Sequence, residues 1–144
     1  MYSALEISRY VIWREAKCRR GVNNIRLQKL LYFIQAQFLV DTHEPCFDDK
    51  IEAWDVGPVI PAVYHVYKYF GSSSIPLQFI REIDCPLLSD DATMLIDHIL
   101  DRCGNYSTTA LMDITCKQTP WINGGKRISS LITNEDIRKF FAEE

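Results

Sequence analysis

Few side chains in this sequence have both the type and the spacing that chemistry demands. His43-x-x-Cys46 sets an imidazole and a thiol at a spacing that can chelate, but zinc needs two further ligands and no neighbouring segment repeats the pair. The segment reads as a plain loop, and no metal is expected. His65 stands among tyrosines and His98 beside Asp97 and Asp101, patterns of packed or solvated imidazoles. A cysteine nucleophile needs a depressed pKa and a base, and nothing in the order of residues puts a histidine beside Cys116 or any other thiol. Gly124-Gly125-Lys126-Arg127 comes nearest to an anion loop, yet it lacks the preceding strand and following helix start that build a phosphate nest. It reads as a flexible turn. G-x-G-x-x-G, P-loop, G-x-S-x-G and H-E-x-x-H patterns are absent, so neither an enzyme nor a cofactor is expected.

What remains is aromatic surface. Tyr64, Tyr67, Tyr69 and Phe70 give one short segment rings on more than one face, and Trp54, Trp121 and Tyr32 add amphipathic bulk. Core packing accounts for most of these rings. A helix with aromatics all round keeps some after the core is filled, and Tyr and Trp are frequent anchors of protein interfaces. Tyr64, Tyr67, Tyr69 and Trp121 are therefore the candidate partner-binding residues. Such a patch serves a homodimer as readily as a foreign partner.

The bulk properties fit a binding protein of ordinary globular character. A chain of 144 residues, 47% hydrophobic and 24% charged, suits one domain spanning 1–144. Its net charge of −3 provides no broad basic field for phosphate backbones. Nucleic acid is not the expected partner, and the short clusters Lys17, Arg19, Arg20 and Lys126, Arg127 read as solvated turns. The five cysteines are scattered without a C-x-x-C, as free thiols in a reducing cytosol would be. No apolar run approaches the ~20 residues that span a bilayer, and the N-terminus lacks the basic lead of a signal peptide. A cytoplasmic protein without membrane contact is expected.

The elements that position the aromatics follow from caps and periodicity. Ser3-Ala-Leu-Glu6 is a capping-box pattern opening a first helix that Gly21 would end as a left-handed cap. Asn23 and Asn24 cap a second helix, from Ile25 to about Val40, apolar on most sides and hence the central one. Its few polar residues, Gln28, Lys29, Gln35 and Gln37, read as exposed or edge positions, with a buried Gln bonding backbone as the alternative. Lys50 to Trp54 alternates as a short strand. Gly57-Pro58 then forces a turn, because Pro58 bars Gly57 from the helical region. Pro61 suits the first turn of a third helix, on which Val63, Val66, Tyr67 and Phe70 would share one face up to Gly71. Residues 72–86 read as loop with an extended piece around 77–83. Ser89, Ser107 and Thr133 cap three further helices, ending at Gly104, at Cys116 and near the C-terminus, with Trp121 to Arg127 as a loop. The sum is mainly α: about six helices with a short β element.

In this order, IRLQKLLYFIQAQFLV, IEAWDVGPVIPAVYHVYKYFG, YSTTALMDITCKQTPW and ITNEDIRKFF resemble the Panacea domain, the SocA-like antitoxin family found in prophages and toxin–antitoxin loci. Gln28, Lys29, Tyr32, Trp54, Gly57, Pro58, Pro61, Tyr64 and Trp121 match its pattern. Where relatives often carry Thr-His before the late Trp, this chain has Thr115-Cys116. The resemblance implies a small helical protein that neutralises a toxin by direct contact and, in some relatives, hands it to a protease. The alternative is a phage or mobile-element protein that inhibits a host defence or replication factor. The Gly57-Pro58 corner is read as architecture with Trp54 packed under it.

Overall fold

The computed structural model describes residues 1–81 and 84–143. Helix α1 (Ala4–Lys17) starts from the expected capping box: Glu6 N donates to Ser3 Oγ at 3.1 Å and Ser3 N to Glu6 Oε1 at 2.9 Å. Helix α2 (Asn24–Thr42) is capped by Asn23. A hairpin of β1 (Ile51–Trp54) and β2 (Gly57–Val59) leads into α3 (Pro61–Tyr67), followed by single 3-10 turns over Lys68–Phe70 and Leu77–Phe79. Helices α4 (Asp90–Cys103), α5 (Thr108–Cys116) and α6 (Thr119–Gly125), a third strand β3 (Leu131–Ile132) and α7 (Asn134–Ala142) complete the described chain. Ser89, Ser107 and Thr133 each accept an early amide of α4, α5 and α7, satisfying donors that a helix start leaves open.

Helix α2 is the axis of the fold. It packs against α1, α3, α4, α5, α7 and β2, leaving a half-buried line through Phe33, Gln37 and Val40, and Leu27, Leu30, Leu31, Tyr32 and Ile34 are all fully buried. This overturns the reading of its polar residues as edge positions. Gln28, Lys29 and Gln35 are each 0% exposed, while Gln37 is half-buried. Burial obliges each to find partners. Gln35 Oε1 accepts from Cys46 N at 2.9 Å and Phe47 N at 3.2 Å, and its Nε2 donates to Phe47 O and Asn134 Oδ1. One amide thus fixes the 43–50 loop and the start of α7 to the core. Gln35→Leu is expected to cost about 2–4 kcal/mol in denaturant unfolding, because it strands those backbone groups. Gln37→Leu, with no such partners, should stay within about 0.5 kcal/mol.

Strand order in the small antiparallel sheet is β2-β1-β3, with Trp54 opposite Gly57 and Glu52 opposite Val59. The segment read as a loop from Trp121 is instead mostly α6, so the described residues hold seven α-helices. Pro120 starts that helix rather than breaking one. Gly124 is accepted inside it because a Cβ there would lie 2.8 Å from Ile132 Cγ1 and 3.2 Å from Ala53 Cβ. Its missing side chain lets α6 lie on the sheet. Other boundaries shift as well. Arg19, at φ 58°, takes the left-handed turn after α1 that Gly21 was expected to take, whereas Gly104 ends α4 as expected, in a right-handed conformation. Of the extended piece expected at 77–83, Leu77–Phe79 is a 3-10 turn, and Glu82 and Ile83 lie outside the described residues.

Candidate partner-binding face

The Gly-Pro corner is built on α2. Lys29 Nζ donates to Pro58 O at 2.8 Å, and Gln28 Oε1 accepts from Ile60 N at 2.9 Å. Gln28 Nε2 in turn donates to Asn24 Oδ1, whose own Nδ2 donates to Tyr64 O at 3.0 Å. Three consecutive points of the corner and of α3 therefore hang from buried polar groups of one helix. Gly57 sits at φ 104°, in territory that side chains resist. A Cβ there would meet Lys29 Cε at 2.9 Å, Lys29 Nζ at 3.0 Å and Thr115 Oγ1 at 3.0 Å. The glycine supplies both the turn and the space for the lysine. Thr115 Oγ1 donates back to Leu111 O at 2.9 Å, closing the corner against α5.

Burial without a carboxylate lowers the Lys29 ammonium pKa to about 7, with the neighbouring Cys116 thiolate form pulling it weakly upward. Burial likewise raises the Cys116 thiol, while Lys29 pulls it down. Cys116, standing where the family pattern often has histidine, is half-buried at the end of α5 beside this lysine.

Outside the corner lies the aromatic surface. The Trp54 and Tyr64 rings meet edge to face at 5.0 Å, with His65 at 6.3 Å from Trp54 and 5.8 Å from Tyr64. Trp54 Nε1 donates to Glu52 Oε1, and Trp121 Nε1 donates to Trp54 O at 2.8 Å, tying α6 to the strand end. Tyr64, Trp54 and Trp121 are half-buried, His65 is exposed, and Tyr69 is 93% exposed. Trp54 is thus part of the surface as well as packing at the corner. One candidate is withdrawn: Tyr67 is buried, its hydroxyl within 3.0 Å of Ser8 Oγ, so it belongs to the core and presents no exposed ring. Val66, assigned by periodicity to the inward face, is exposed instead. Ile60, just before α3, and Val63 and Tyr67 within it face inward, whereas Val66 is exposed, as are Tyr69 and Ile122. Only the observed phase of this short helix exposes Val66.

His43 is exposed at the left-handed end of α2, whereas the Cys46 thiol is buried and pushed up to about 12. Among the described residues no group of three His, Cys, Asp or Glu is placed to hold a metal ion. Arg20 ion-pairs with buried Glu15 and with Asp101, and Arg127 with Asp136, so both basic clusters are partly neutralised within the fold. No described helix is long and apolar enough to cross a membrane.

The whole is a mainly helical scaffold that places half-buried and exposed rings beside the Gly57-Pro58 corner. The model of the family described as antitoxin SocA-like, Panacea domain, matches residues 27–122, and the chain belongs to that family. The matched stretch contains the whole corner and the rings Trp54, Tyr64 and Trp121. Among curated proteins the chain is similar to antitoxin SocA of Caulobacter vibrioides (strain NA1000 / CB15N), 32% identical over 109 residues. That alignment takes in 69% of this chain and spans 58% of the relative's length. No solved structure matches significantly.

Proposed function

We propose that this protein is an antitoxin that neutralises a cognate toxin by direct contact through Trp54, Tyr64, His65, Tyr69 and Trp121. Membership of the SocA-like family carries the antitoxin reading. The face is chosen because Trp54, Tyr64 and His65 pack together beside the corner, Trp121 is tied to Trp54 O, and Tyr69 follows just beyond α3 with its ring in solvent; rings held on such a scaffold lose less entropy on binding. Tyr69 is the plainest candidate anchor, since it projects into solvent and touches only Phe70 among the rings.

Co-expression with the product of the adjacent gene tests this. The wild-type chain should restore growth, and a Tyr64→Ala, Tyr69→Ala double variant with an unchanged melting temperature should lose it. The dissociation constant should rise at least about 30-fold, the effect of removing two interface anchors. Full neutralisation at unchanged affinity by that variant would remove this face from the function. Toxin abundance separates two modes of action. Occlusion leaves the level of toxin constant, whereas delivery to a protease lowers it in a protease-dependent way.

A further inference from the structure

A second surface lies on the other side of α5. Between α4 on one flank and α5 and α7 on the other, a groove of about 500 Å³ runs over α2. Its floor carries Phe33 and Val40, two turns apart on α2, and Ile114 and Phe141 form apolar parts of its wall. Two polar side chains matter to its chemistry. Arg102 is exposed at the rim and makes no ion pair among the described residues, whereas Arg14, Arg20, Arg81 and Arg127 all do. Gln118 is 6% exposed; its Oε1 accepts from Tyr32 Oη at 2.7 Å, while its Nε2 donates to no described group. The groove therefore offers a cation and a free amide donor above an apolar floor.

From this arrangement we propose that the groove is a docking site for an amphipathic helical segment of a protein partner, one that carries a carboxylate to meet Arg102 and Gln118. It rests on the reading of the protein as partner-binding only for the class of occupant. Phe33, Ala36 and Val40 recur at the spacing that accepts the i, i+3/i+4, i+7 stripe of a second helix, and Phe33, Gln37 and Val40 on that line are half-buried. Charge selects among such helices. A guanidinium without an internal partner favours Asp or Glu and disfavours Lys or Arg.

The test is a selection from a displayed library of helical peptides with one randomised face, using the folded full chain as bait and decanoate as a small-carboxylate competitor. Enriched peptides should pair an apolar stripe with an acidic residue and bind at least tenfold more weakly when that residue becomes Lys. They should be lost with Ile114→Glu, and Arg102→Glu should turn the preference to basic residues. The proposal is overturned by any of three results: no enrichment on the wild-type chain, enriched peptides without an acidic preference, or binding indifferent to Ile114→Glu. Decanoate bound in the groove with no peptide enriched would also overturn it, in favour of a small apolar carboxylate. Because the selection uses no toxin, its failure is distinguishable from failure of the Tyr64, Tyr69 face.

Discussion

Lys29→Arg is expected to destabilise the protein by about 4 kcal/mol, whereas Lys29→Met is expected to cost less, about 1–3 kcal/mol for the stranded Pro58 carbonyl, and to flatten the pH dependence of stability. Both expectations follow from a lysine that is fully buried, bonded to one carbonyl and shifted to about 7. Arginine cannot shed its proton at any working pH, so the substitution leaves an uncompensated charge, and a larger head group, in a space shaped for an amine. Methionine forfeits the bond to Pro58 O but carries no charge. From pH 7 up to its ordinary value near 10.4, Lys29 binds fewer protons folded than unfolded, so stability rises with pH across that window. The gain between pH 7 and pH 8.5 is about 1.5 kcal/mol. Above that the buried thiols act in the opposite direction, since Cys46 and Cys103 are pushed up to about 12 and about 11 and their unfolded forms ionise first. Denaturant midpoints of wild type and Lys29→Met, compared from pH 6.5 to 8.5, isolate the lysine. Equal slopes in the two proteins would show that Lys29 keeps an ordinary pKa.

Gly57→Ala is the second large effect, at about 3–5 kcal/mol. Backbone strain at φ 104° contributes about 1–3 kcal/mol, and the added methyl meets Lys29 and Thr115 at 2.9–3.0 Å, an overpacking worth a further 1–3 kcal/mol. Thr115 is pinned by its bond to Leu111 O, and Lys29 by its bond to Pro58 O, so neither neighbour yields freely. Gly57→Val should be worse still, because a β-branched residue resists positive φ. Thermal unfolding measures the loss. A Gly57→Val protein that kept its melting temperature and lost only its partner would turn the corner from scaffold into contact.

The parts of this architecture that were legible in the sequence are those decided locally. Ser3, Asn23, Ser89, Ser107 and Thr133 cap the helices they were expected to cap, because a cap involves only the next few residues. Pro61 opens α3, and Gly57-Pro58 turns the chain, for the same reason. Burial was not legible in the same way. Gln28, Lys29 and Gln35 look like a polar edge until β2, the start of α3 and the 43–50 loop close over α2 and bond to them. Val66 turns outward, while Tyr67 keeps the inward face its spacing gave it and drops out of the partner candidates, because a seven-residue helix has too few turns to reveal its phase. Gly124-Gly125 suggests a loop only so long as the contact of α6 with Ala53 and Ile132 is unknown.

The corner and the rings it carries answer to different constraints, and that separation has an evolutionary consequence. Changing Lys29, Gln28 or Gly57 disturbs the interior, so drift at these positions is paid in folding. Tyr69, His65 and Val66 project outward, and replacing them leaves the core contacts of Val63 and Tyr67 in place. Selection for a new partner can therefore rewrite the outer positions without a stabilising second change. In lineages descended from such a chain, the interior of the corner should persist while the exposed rings diverge with each target. A match to the family then identifies the mount, and under the proposed function the choice of partner is written in the residues least constrained by the fold.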